Sequence, residues 1–150
     1  PPRTKSIKYL LKKIINYPNF KYSLHSCIIL IKNNEIGFYK EYQLIKNSIQ
    51  DGILIKRMSN FYWDNRFNIK TYENDILCHK MSEKIWLKIK GKYELAKQKN
   101  KINFDVLKTL PVLKICNELI IPFLLEEKEL KKNAVSVIFQ PKIPLTKKNF

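Results

Sequence analysis

Apolar positions recur along this chain at two spacings, and the changes from one to the other mark its elements. Residues 6 to 17 carry Ile7, Leu10, Leu11, Ile14 and Ile15 at helical spacing, with Lys5, Lys8, Lys12 and Lys13 on the other faces. That pattern predicts a short amphipathic helix. Pro1-Pro2 reads as a turn leading into it, and Pro18 ends it by pushing the preceding residue out of the helical region. Residues 24 to 32 are β-rich and residues 35 to 41 return as a strand. Between them Asn33-Asn34 is the turn, since Asn accepts the left-handed backbone of tight hairpins. Asp51-Gly52 is a second turn, leading into Ile53-Leu54-Ile55.

The stretch from residue 61 to 69 alternates with period two. Phe61, Trp63, Phe67 and Ile69 fall on one face and Asp64 and Arg66 on the other, which predicts a half-buried strand. Asp64 and Arg66 then read either as a surface ion pair or as a support presenting Arg66 to a phosphate. Asn74-Asp75 turns the chain into Ile76-Leu77-Cys78.

Ser82 is placed to cap a helix running to about residue 100, with Ile85, Ile89, Tyr93 and Ala96 as its apolar stripe and Trp86 beside it. Lys84, Lys88, Lys90, Lys92, Lys97 and Lys99 occupy the rest of its surface, with Gly91 as a weak point. Those lysines are either a solvated face or a phosphate-contacting one. Asn103 or Asp105 caps a short turn through Val106 and Leu107. Two apolar runs around Cys116-Asn117-Glu118 then form a hairpin at a sheet edge, where Pro111 and Pro122 are tolerated. Residues 126 to 132 are charged and irregular or briefly helical. Residues 135 to 139 form a last strand, and Pro141-Lys142-Ile143-Pro144 stops further regular pairing. The fold class is α+β: a short helical lead-in, then a mostly antiparallel sheet with one main helix.

Charge changes this picture most. The formal net charge is +16, from 29 Lys and Arg against 13 Asp and Glu, over 150 residues that are 45% hydrophobic. Such a chain builds a core, and its surface attracts polyanions, nucleic acid first and anionic membrane second. Part of the lysine excess, together with the many Asn and Ile, follows from drift in an AT-rich genome. Cys27, Cys78 and Cys116 are far apart and odd in number, without a CxxC pair, and His25 and His79 complete no metal-ligand spacing. They read as free thiols in a reducing cytoplasm, with Cys27 and Cys116 buried in apolar runs. Cys78-His79 is the nearest approach to a nucleophile pair, and no orienting group accompanies it.

Gly37, Gly52 and Gly91 are isolated, so no loop of clustered glycines can bring backbone N–H groups to a phosphate. Glu126-Glu127 sits among lysines and reads as surface charge. No apolar run approaches the length of a membrane span. The start at Pro1-Pro2-Arg3, without Met, is expected of a piece cut from a longer polypeptide at its N-terminal side.

Several segments, in this order, resemble the C-terminal part of tRNA(Ile)-lysidine synthetase, most like versions from small intracellular alphaproteobacteria. Pro1-Pro2-Arg3 and the helix after it resemble the end of the family's middle helical domain. Leu24-His25-Ser26-Cys27-Ile28-Ile29, then Phe38-Tyr39-Lys40-Glu41, resemble its TLGGC and YRE strands, with His25-Ser26 where the family has Gly-Gly. Trp63-Asp64-Asn65-Arg66-Phe67 matches WDNRF. Thr109-Leu110-Pro111-Val112-Leu113 with Ile121-Pro122 is similar to its SLPAL…VP hairpin, and residues 139 to 145 to its terminal run. Each motif is weak alone; order and spacing give the match its specificity.

The resemblance implies an enzyme that adenylates a cytidine in the anticodon loop of an isoleucine tRNA. Free lysine then displaces AMP to give lysidine, which redirects the anticodon to AUA codons. The family's ATP-binding SGGxDS loop and catalytic acids lie in an N-terminal domain that no residue here matches. No catalytic, cofactor-binding or metal residue is therefore carried over. Residues 1–23 would end the middle domain and residues 24–150 form the C-terminal tRNA-binding domain. The RNA-binding candidates are Lys84, Lys88, Lys92, Arg66, Lys8 and Lys12, chosen on charge and spacing. The implied partners are tRNA and free lysine, with no membrane or DNA, and the implied cofactor is ATP, outside this segment. The rivals are a stand-alone basic RNA-binding module without enzymatic activity, and a protein held at an anionic membrane surface. The second lacks a strongly apolar basic helix.

Overall fold

A computed structural model of the chain describes residues 4–24, 26–32, 35–45, 52–99 and 102–142. The expected turns at Pro1-Pro2, Asn33-Asn34 and Asp51, and the segment from Ile143 on, lie outside the described residues. The chain divides into two compact units, Pro1–Ile45 and Lys46–Phe150.

In the first unit, α1 (Thr4–Asn16) is followed by β1 (Phe20–Leu24), β2 (Cys27–Lys32) and β3 (Glu35–Lys40), an antiparallel sheet in chain order. The β-rich run from residue 24 is therefore corrected. β1 precedes it, and Leu24 pairs with Cys27, with Ser26 at φ +70° just before β2. Phe20, Tyr22 and Leu24 share one sheet face with Ile31, Ile29 and Cys27, and with Ile36, Phe38 and Lys40 beyond. Ile29 and Ile31 are buried, whereas Phe38 is 68% exposed. α1 forms as its periodicity predicts, yet only Leu10 of the expected stripe is buried. Ile7, Leu11 and Ile15 stay exposed.

The second unit contains two sheets. One has the order β10–β6–β5, built from β5 (Asn60–Trp63), β6 (Phe67–Thr71) and β10 (Val135–Phe139). The other has the order β4–β7–β8–β9, from β4 (Ile53–Ile55), β7 (Ile76–Lys80), β8 (Pro111–Ile115) and β9 (Glu118–Ile120). Every pairing is antiparallel. The single strand expected over residues 61 to 69 is corrected to a hairpin. Asp64 and Asn65, at φ +49° and +56°, reverse the chain, and the Arg66 N–H donates to the Trp63 carbonyl at 3.0 Å. Trp63 pairs with Phe67 and Phe61 with Ile69, so the reversal keeps the parity of the alternation. Trp63 and Ile69 are fully buried as expected.

α2 (Glu83–Lys99) starts where Ser82 accepts the Ile85 N–H at 3.2 Å and runs through Gly91, where an added Cβ would meet nothing within 4 Å. Its Trp86, Ile89 and Tyr93 join Met81, Leu107, Val112, Ile121 and Leu124 in a core under the second sheet. α3 (Phe104–Leu107) is capped by Asn103, and α4 (Glu127–Lys132) carries a capping box of Glu126 and Glu129. The β8–β9 turn places Cys116 and Asn117 at positive φ, and β9 is an edge strand as expected. Gly52, at φ +87°, lies under the His79 ring, 2.6 Å from where a Cβ would stand; only glycine fits there. The burial expected of Cys27 and Cys116 is corrected: both are exposed, and the buried cysteine is Cys78.

Candidate nucleic-acid interface

Four-residue steps on an α-helix place side chains along one side. Lys84, Lys88 and Lys92 follow that rule on α2, and all three are exposed. They are not equivalent. Lys92 borders the buried stripe, donates to the Glu118 carboxylate and lies 5.4 Å from the centre of the Tyr93 ring. The Glu118 hydrogen bond holds its ammonium above the ordinary lysine value against a smaller effect of burial. Any phosphate reaching Lys92 therefore competes with a carboxylate already in place. Leu87 and Leu95 are also exposed on this helix.

Arg66 stands elsewhere. Its Nε donates to Asp64 Oδ2 at 2.8 Å and its Nη2 to the Thr109 carbonyl at 2.8 Å. Asp64 is almost wholly buried, so the expected surface pair is a part-buried clamp that ties the β5–β6 turn to the segment before β8. Lys80 is nearby. Burial lowers its pKa while the charge of Asp64 opposes that shift.

On α1, Lys5, Lys8 and Lys12 are exposed. Spacing alone also marks a row that the selection of lysines passed over: Lys5, Tyr9, Lys13 and Tyr17, each four residues from the next. The Lys13 ammonium lies 5.5 Å from the centre of the Tyr9 ring and 4.3 Å from that of Tyr17. β1 backs the row with Phe20 and Tyr22. Ring centres run Tyr9–Tyr22 at 5.7 Å, Tyr22–Phe20 at 5.8 Å and Phe20–Tyr17 at 6.5 Å. Tyr9 and Tyr17, the ends of this run, are 47% and 48% exposed. The signal missed in the sequence was β1, without which the tyrosines have no backing.

Chemistry beyond binding finds little support. Burial pushes the Cys78 thiol far above its ordinary value, the opposite of an activated nucleophile. A groove lined by Tyr72, Glu127, Leu130, Lys131 and Val137 holds one acid and one base, already joined at 2.8 Å. Among the described residues no group of three or more His, Cys, Asp or Glu is placed to hold a metal ion. No described helix is long and apolar enough to cross a membrane.

The chain is similar to curated tRNA(Ile)-lysidine synthases. It is 34% identical over 120 residues to that of Rickettsia akari, covering 77% of this chain and 27% of the relative. It is 35% identical over 120 residues to that of Rickettsia africae and 37% over 121 residues to that of Rickettsia rickettsii (strain Sheila Smith). Each of these covers 77% of this chain and 24% of the relative. The resemblance carried by the motifs is thereby borne out, with an extent consistent with a C-terminal fragment. The chain spans about a quarter of the length of the curated relatives it matches. No family model matches it, and no solved structure does.

Proposed function

We propose that this chain is the C-terminal portion of a tRNA(Ile)-lysidine synthase and that it grips tRNA rather than performing the ligation. In that reading residues 1–23 close a middle helical domain and residues 24–150 form the C-terminal domain. The whole enzyme, working in the cytoplasm, uses ATP and free lysine to modify the anticodon-loop cytidine. The observation that carries the reading is the match to synthases of that name over 77% of the chain. Two further features agree with it. The exposed lysine rows on α1 and α2 give a polyanion something to hold, and the isolated glycines supply no cradle for ATP.

The test is a salt titration of tRNA binding. Lys84, Lys88 and Lys92 changed together to Gln should weaken binding and flatten the log–log salt slope by about two to three units. Changing Lys128, Lys131 and Lys132 to Gln removes the same formal charge from α4. There Lys128 and Lys131 already sit on Glu126 and Glu127 at 2.9 and 2.8 Å, so the loss should be much smaller. Equal losses would mean diffuse attraction, and no binding at low salt would defeat the reading. The purified segment, given ATP, tRNA and lysine, should release no pyrophosphate.

A further inference from the structure

From the α1–β1 surface we infer that this face is a binding site for unpaired RNA bases, which stack on the exposed rings of Tyr9 and Tyr17. The inference deepens the tRNA reading and rests on it, since it names which part of an RNA this unit takes.

Three independent features meet there. The first is ring geometry. Tyr9, Tyr22, Phe20 and Tyr17 form a continuous run of neighbouring rings, the inner contact between Phe20 and Tyr22 tilted by only 16°. The inner two rings are half-buried and hold the outer two in place, while the outer two remain about half exposed. A ring fixed by packing and still about half exposed loses little freedom when a base displaces the Lys13 ammonium from it, and every base has a face to offer.

The second is charge. From residue 1 to residue 34 the sequence contains no Asp or Glu, and α1 alone carries Lys5, Lys8, Lys12 and Lys13. Lys13 sits between the two tyrosines, over both rings. Its ammonium covers part of each ring face, and a side chain four carbons long can turn aside to the phosphate of a nucleotide whose base takes that place. A surface that only closed a hydrophobic seam would need neither the alternation of Lys and Tyr nor the exclusion of carboxylates.

The third is position. β1 is an edge strand, so its rings stand at the margin of the sheet, while Phe38 of β3 is exposed on the same face beyond the buried Ile29 and Ile31. Duplex RNA keeps its base faces inside the helix, so this chemistry selects loops and single-stranded ends.

The experiment compares three probes on the whole chain: tRNA, a short oligouridylate and an RNA duplex of the same length. With Tyr9 and Tyr17 both changed to Leu, which keeps apolar bulk and removes the ring, oligouridylate affinity should fall roughly tenfold or more. Duplex affinity and its salt slope should not change. With both changed to Phe, oligouridylate binding should be retained. A folded Leu variant that binds oligouridylate like the parent would overturn the inference, as would equal losses on duplex and oligouridylate. If the Leu variant fails to fold, Tyr17→Trp serves instead. Its added fluorescence should be quenched by oligouridylate, since Trp63 and Trp86 are buried, and absence of quenching overturns the inference. Binding to phosphatidylglycerol vesicles without binding to oligouridylate would also overturn it and assign the face to a membrane surface. The two readings fail separately: tRNA binding that survives the Leu variant in full removes the base site alone, whereas a chain that binds neither tRNA nor duplex removes the proposed function.

Discussion

The units Pro1–Ile45 and Lys46–Phe150 place several of the same residue types differently. In the first, tyrosines and lysines meet at the surface, and α1 leaves Ile7, Leu11 and Ile15 uncovered. In the second, Trp63, Trp86 and Tyr93 go into the core, and the cations near them acquire partners: Arg66 on Asp64 and Thr109, Lys92 on Glu118. The difference separates residues that hold the fold from residues whose side chains stay at the surface. A +16 chain has far more cations than it can pair internally. Where they stand at the surface is more informative than how many there are.

Substitutions of the buried and partnered residues of the second unit should therefore act on stability, and those of the exposed rings of the first unit on binding. The largest effect is expected at Trp63, which is 0% exposed. Trp63→Ala should cost about 3–5 kcal/mol in denaturant unfolding, and an unchanged midpoint would break the contrast at once. Next is Arg66→Ala, which leaves the buried Asp64 carboxylate without its guanidinium and should cost about 3 kcal/mol. Arg66→Lys should recover only part of that, because one ammonium cannot reproduce the two-pronged contact. A variant with unchanged melting but weaker tRNA binding would instead make Arg66 an RNA contact.

Ile15 is 81% exposed, so Ile15→Ser should change stability by less than about 0.5 kcal/mol. A larger loss would show that the first unit hides more of α1 than its surface indicates. The smallest effect concerns pH. The Arg57 N–H, then Lys56, hold the Asp75 carboxyl below its ordinary value of 3.8. A lowered folded pKa contributes stability that is full above that value and is lost as pH falls through the folded pKa. The melting difference between the parent and Asp75→Asn should be constant from pH 5 to 7 and vanish in more acid solution. A difference growing toward acid would have the wrong sign for this pair.

Local chemistry was legible in the sequence wherever the deciding residues were neighbours. Ser82 and the stripe of Ile85, Ile89 and Tyr93 fixed α2, and Cys116-Asn117 fixed the last hairpin. The Phe61–Ile69 reversal escaped because its turn preserves period two, although Asp-Asn is a pair that accepts positive φ. β1 escaped because Pro18 and its surroundings read as an interruption, leaving five residues too few to stand out. Of the candidate site, the lysine rows followed from spacing alone. The engagement of Lys92 and Arg66 did not, because Glu118 and Thr109 lie 26 and 43 residues away in the chain. Such partners are set by tertiary packing.

The pairing of β10 with β6 bears on how the second unit assembles. β5 and β6 close a hairpin within a few residues, as do β8 and β9, and such contacts form early. β10 reaches β6 across a much longer separation, with Asn68 and Gln140 joined at 2.9 Å although 72 positions apart. During synthesis β6 leaves the ribosome with one neighbour and an open row of N–H and C=O groups on its other side. That row stays a template for mispairing with other chains until α2, the second sheet and α4 have been made and β10 arrives. The β10–β6–β5 sheet can therefore be completed only once β10 has been made, and the open side of β6 stays exposed to mispairing until then.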